Sequence, residues 1–137
     1  MPPLILDTGF LAELARGDSD LMEMVARFDA EGQSMVMSVL AITGASLDCG
    51  TKEATDLLLG IATLPQITVA GAREPEHGTT LASVINRTGL DWGDAHVAAI
   101  ADASVCPVLT LNKLHWDKAT HAFDEPLHIV EIANPET

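Results

Sequence analysis

Short runs of Val, Ile, Leu and Met alternate along this chain with longer stretches of helical period, a pattern that predicts a parallel sheet wrapped by helices. The first apolar run, residues 3–6, reads as a buried strand that stops at Asp7-Thr8-Gly9. Phe10, Leu11, Leu14 and Ala15 then take up helical spacing as far as Gly17. Ser19 or Asp20 is placed to cap a second helix, with Leu21, Met22, Val25 and Phe28 as its apolar stripe and Gly32 as its stop. Residues 34–38 read as a second strand that continues into a helix ending near Cys49-Gly50. Residues 52–64 are helical and closed by Pro65, residues 67–69 form a short third strand, and a helix over roughly 76–88 ends at Gly89. Asp91-Trp92-Gly93-Asp94 opens an alanine-rich helix over 95–103. Residues 106–111 are the clearest internal strand, stopping at Asn112, and residues 127–132 are the last. The expected architecture is α/β, with about five strands in one domain over residues 1–137.

In an open parallel sheet, ligands bind beyond the carboxyl ends of the strands, so polar residues just after an apolar strand are the first functional candidates. Asp7 follows the first strand, Asn112 follows Val108-Leu109-Thr110-Leu111, and Asp94 lies in the first turn of a helix that can face the same edge. Asp117, five residues beyond Asn112, can reach in from the following segment. Carboxylates gathered from separate parts of a chain repel one another and raise one another's pKa unless a cation neutralises them. Such a cluster implies Mg²⁺ or Mn²⁺, and these ions serve phosphodiester hydrolysis most naturally. Each residue also has a structural explanation: Asp7 and Asp91 as helix caps, Asp94 as a first-turn acid, Asn112 as a turn residue and Asp117 as a solvated one. The functional reading rests on the ensemble.

Composition narrows this further. Seven Lys and Arg against twenty Asp and Glu give 7 − 20 = −13, which argues against a broad counter-ion-releasing nucleic-acid surface but leaves room for a metal-dependent nuclease. Cys49 and Cys106 are far apart and read as reduced core or near-core residues. The five histidines show no HxxxH or HExxH spacing, so a zinc site is not expected. No P-loop, GxGxxG or GxSxG pattern is present. Trp92 and Trp116 flank the acidic edge, where stacking a base and packing at the core or rim are the two readings. No apolar stretch approaches the roughly 20 residues of a membrane span and no basic region precedes the first apolar run, so the expectation is a soluble, cytoplasmic protein.

Four stretches, in order, carry a family resemblance: Leu4-Ile5-Leu6-Asp7-Thr8-Gly9-Phe10-Leu11, Met37-Ser38-Val39-Leu40-Ala41-Ile42-Thr43-Gly44-Ala45, Leu90-Asp91-Trp92-Gly93-Asp94-Ala95-His96-Val97-Ala98-Ala99 and Cys106-Pro107-Val108-Leu109-Thr110-Leu111-Asn112. Together they resemble the PIN domain, especially the toxin component of VapBC-type toxin–antitoxin pairs. The resemblance implies a parallel α/β sandwich and a Mg²⁺- or Mn²⁺-dependent ribonuclease. Asp7 and Asp94 would be the metal-holding acids, with Asn112 and Asp117 assisting and Thr8, Thr110 and Asp91 in support. It also implies an antitoxin partner and a homodimer. Two positions depart from the pattern: Gly44 stands where the family usually carries Glu, and Asn112 where it usually carries Asp. Each departure removes a negative charge, so divalent-ion affinity should fall. The runner-up expectation is therefore a PIN fold that has lost catalysis and acts as a binding or regulatory module. A third reading is an interaction protein whose apolar helix faces, over residues 21–28 and 54–64, receive an antitoxin-like peptide.

Overall fold

The central apolar runs become strands because they are buried on both faces, where no polar alternation is needed. The computed structural model describes residues 2–132. In it, β1 (Leu4–Leu6), β2 (Met35–Ser38), β3 (Ile67–Ala70), β4 (Val108–Thr110) and β5 (Ile129–Glu131) form one parallel sheet in the order β3-β2-β1-β4-β5. Ile5 pairs with Val36 on one side and Val108 on the other, and Leu6 with Met37 and Leu109. The chain steps outward from β1 to β3 and then crosses back to β4 on the far side of β1. The carboxyl ends of β1 and β4 therefore flank the point where strand order reverses, which is where such sheets open a crevice.

Helices α1 (Thr8–Ala15), α2 (Ser19–Ala30), α3 (Val39–Cys49), α4 (Lys52–Ile61), α5 (Pro75–Thr88), α6 (Trp92–Ser104) and α7 (Asp117–Thr120) supply the connections, with a 3-10 turn over Lys113–Trp116 before α7. The fully buried core runs through Ile5, Leu6, Phe10, Leu11, Leu14, Met35, Met37, Leu109 and Trp116. Cys106 is buried, Cys49 is half-buried, and both are free thiols. No helix among the described residues is long and apolar enough to cross a membrane.

The α/β class, the parallel pairing and the strand count agree with the sequence reading, while several boundaries move. Asp18, rather than Ser19 or Asp20, caps α2, because its carboxylate accepts from both the Asp20 and Leu21 amides. Helix α4 stops at Ile61 instead of running to residue 64. Thr63 and Leu64 turn back through bonds to the Gly60 and Ile61 carbonyls. β4 begins at Val108 because Pro107 has no N–H to give a neighbouring strand, although its carbonyl still accepts from Ile5. The 3-10 turn and α7 lie in a segment whose short length leaves no readable period.

Helices α3 and α6 come close together at Gly93. A Cβ there would stand 2.7 Å from Thr8 Oγ1 and 3.1 Å from both Ala41 Cα and the Leu40 carbonyl oxygen. This close approach holds the first turn of α6, and with it Asp94, against the first turn of α1.

Candidate functional site: an acidic cleft at the strand ends

Asp7 is the N-cap of α1, directly after β1. Its Oδ1 accepts from the Phe10 amide at 2.8 Å, and its Oδ2 accepts from the Trp116 indole N–H at 2.9 Å. The side chain is almost wholly buried, and burial raises its pKa above the usual carboxylate range. Bonds from Thr110, Trp116 and Phe10 work against that rise, and the Asp94 charge adds to it. Asp94 is buried in the first turn of α6. Its Oδ1 accepts from the Thr8 amide at 3.0 Å, and His115 Nε2 lies 2.8 Å from its Oδ2. Asp91 caps α6 by accepting from the Asp94 amide at 3.1 Å and is itself exposed.

These residues line one open cleft of about 370 Å³ together with Thr110, Asn112 and Glu13. Asp7 and Asp94, 87 positions apart by number, meet here because β1 lies beside β4 and Gly93 lets α6 pack close to α3. Thr110 sits at the end of β4, where its hydroxyl accepts from the Asn112 amide at 3.1 Å, and Asn112 is exposed at the rim. Thr8 contributes its backbone amide to Asp94, whereas its Oγ1 is buried without a partner. Asp117 is exposed at the start of α7 and does not line the cleft. The step through the 3-10 turn aims it elsewhere, which a five-residue spacing could not reveal.

Three features went unread in the sequence. Glu13 stands four residues after Gly9 on α1 and so shares its face, a signal that helical spacing offered. It is tied to Arg16 at 2.8 Å, and Arg16 also pairs with Asp48. His115 fits no metal-ligand spacing in the sequence, and its position depends on the 3-10 turn. Trp116 is fully buried, in keeping with a packing role, but it also donates to the site carboxylate. Trp92, by contrast, is 68% exposed and lines a neighbouring apolar pocket that shares Asp91 with the acidic cleft.

The donor chemistry fits one hydrated hard cation. Asp7 and Asp94 offer carboxylate oxygens, Asp91 and Asn112 add oxygens at the rim, and the Asp7–Asp94 repulsion is what a cation would relieve. Mg²⁺ needs only one or two protein carboxylates when water and a substrate phosphate complete its shell. A closed cage is not built here: among the described residues, no group of three or more His, Cys, Asp or Glu is arranged to hold an ion. Gly44 does not line this cleft. A Cβ at that position would stand 3.0 Å from Thr8 Cγ2, so Thr8 packs over the place where a longer side chain would begin.

No protein-family model and no curated protein matches the sequence. Among solved structures, a chain in the crystal structure of DNA-bound VapBC from Salmonella typhimurium superposes with a TM-score of 0.64 at 14% identity, covering 96% of this chain and 98% of that one. A match of that coverage at that identity establishes a shared fold, and the five-stranded parallel sheet described above has the PIN-like α/β architecture expected from the four sequence stretches.

Proposed function

We infer that this protein is a PIN-type endoribonuclease that hydrolyses RNA phosphodiesters at the acidic cleft with Mg²⁺ or Mn²⁺. The observation that carries this reading is the meeting of Asp7 and Asp94, from distant parts of the chain, beside the strand-order switch. Asp7 and Asp94 are the residues that would hold the ion, with Asp91 acting through water. An ion held there would supply Lewis-acid polarisation of a phosphoryl oxygen and a lowered pKa for a bound water. Thr110, which lines the cleft at the end of β4, would orient a water or a phosphate oxygen, with the neutral carboxamide of Asn112 beside it. The Phe10 amide and the Trp116 indole hold the Asp7 carboxylate, and the Thr8 amide holds one oxygen of Asp94, so the positions of both carboxylates are set before substrate arrives.

The test is Mn²⁺-dependent cleavage of a mixed RNA pool by the purified protein and by an identically prepared Asp7→Asn, Asp94→Asn variant. Cleavage should fall by about 100-fold or more in the variant, the scale of losing a metal's charge stabilisation.

Gly44 and Asn112 favour a second reading, in which the fold binds a partner without catalysis. Equal cleavage by both proteins, or none by either, would select it. By analogy with the VapBC neighbour, the partner in either case is an antitoxin-like protein. We also propose a homodimer: Val39, Leu47 and Trp92 expose apolar side chains at α3 and the start of α6. Light scattering should then report twice the 14.5 kDa chain mass, and a monomer at high concentration would contradict it.

A further inference from the structure

The 3-10 turn over Lys113–Trp116 touches both buried site carboxylates through consecutive residues. Trp116 donates its indole N–H to Asp7 Oδ2, and His115 Nε2 lies 2.8 Å from Asp94 Oδ2. The turn is firmly seated. Its first amide, that of Lys113, donates to Glu131 Oε2 at 2.8 Å, Trp116 is fully buried, and the two rings meet edge to face at 5.8 Å. Within this clamp His115 is the part that reaches solvent: its side chain is 44% exposed, against 6% for Asp94. Among the described residues lining the cleft, it is also the only one whose side chain can carry positive charge.

Asp94 therefore meets the cleft through an oxygen that is already taken. Oδ1 is committed to the Thr8 amide, and Oδ2 is covered by His115. A cation reaching Asp94 must displace the imidazole or share an oxygen with it, and either course weakens binding. With Gly44 and Asn112 standing where the PIN pattern carries acids, the cleft has two fewer charges to favour the displacement than that pattern provides. We propose that His115 is a built-in competitor for the cation: it occupies the cleft-facing oxygen of Asp94 and sets a high concentration threshold for divalent-ion binding. The proposal rests on the reading that Asp7 and Asp94 hold the ion, and it assigns His115 a regulating role rather than a catalytic one.

The experiment is a titration of Mn²⁺ alone into the purified protein, following free Mn²⁺ by electron paramagnetic resonance, for wild type, His115→Ala and Leu114→Ala. Leu114 is 79% exposed, neighbours His115 and does not line the cleft, so its variant controls for disturbance of the turn. His115→Ala should bind Mn²⁺ about tenfold more tightly than wild type, the scale of one hydrogen bond to a charged group that the cation no longer has to displace. Leu114→Ala should match wild type, and adding Asp94→Asn to His115→Ala should abolish the gain. Weaker binding by His115→Ala would make the histidine a ligand and overturn the proposal. Equal binding, or none by either protein, would also overturn it, since removing the competitor would have released nothing. RNA cleavage is read separately: tighter Mn²⁺ binding without cleavage would sustain the competitor role and contradict the nuclease reading.

Discussion

Trp116 joins the hydrophobic core to the acidic cleft, because one side chain fills fully buried volume and also donates to Asp7. The electrostatics of Asp7 give that bond a pH signature. Its folded-state pKa is raised, chiefly by burial, so its contribution to stability is full below the ordinary aspartate value of 3.8 and is lost as pH rises through the folded value. The indole N–H stabilises the charged form and limits that loss. Trp116→Phe should cost about 2–4 kcal/mol from the vacated volume and the lost bond. The gap from wild type should widen between acid and neutral pH as Asp7 ionises without its donor. Thermal melts across that range check this, and a gap independent of pH would show that the bond contributes nothing. The sequence disclosed Asp7 and Asp94 at this scale because both follow general rules, a polar residue after a buried strand and an acid in a helix's first turn. His115 stayed hidden because its role comes from a single 3-10 turn, which leaves no periodic trace.

The elements meet the site where small residues permit it. Thr8 packs between Gly44 of α3 and Gly93 of α6, but the two glycines are not equivalent. A methyl at position 93 would press on backbone at 3.1 Å as well as on Thr8, whereas one at position 44 meets only the Thr8 side chain within 3.4 Å. Gly93→Ala should therefore destabilise by about 1–3 kcal/mol. At position 44, the roughly 1 kcal/mol that alanine gains in a helix offsets a small shift of Thr8. Denaturant melts should rank Gly44→Ala above Gly93→Ala, and the reverse order would place the tight contact elsewhere. The same geometry bears on introducing the Glu of the PIN pattern: Gly44→Glu must move Thr8 before its carboxylate can reach the cleft. Strands and long helices were legible because apolar runs and 3.6-residue spacing are local signals. Their ends were less so, since they depend on bonds such as those of Asp18 and on the missing N–H of Pro107.

For the molecule as a whole, the net charge of −13 and a cleft lined by Asp7, Glu13, Asp91 and Asp94 oppose the approach of an RNA backbone. If the cleft cleaves RNA as proposed, a divalent ion would serve encounter as well as chemistry, and activity should depend steeply on its concentration. The topology that gathers these acids was readable as a class, from strands alternating with helices. The order β3-β2-β1-β4-β5, which sets β1 beside β4, comes from long-range pairing that no local pattern encodes. Whether this gathered but depleted cluster still works is decided most directly by cleavage of a mixed RNA pool across a Mn²⁺ series, with the Asp7→Asn, Asp94→Asn protein and a chelator as controls. A working metal-dependent nuclease site should give cleavage that rises with Mn²⁺, stops with the chelator and is lost in the double variant. Cleavage unchanged in the variant, or absent from the wild-type protein at every Mn²⁺ concentration, would contradict it.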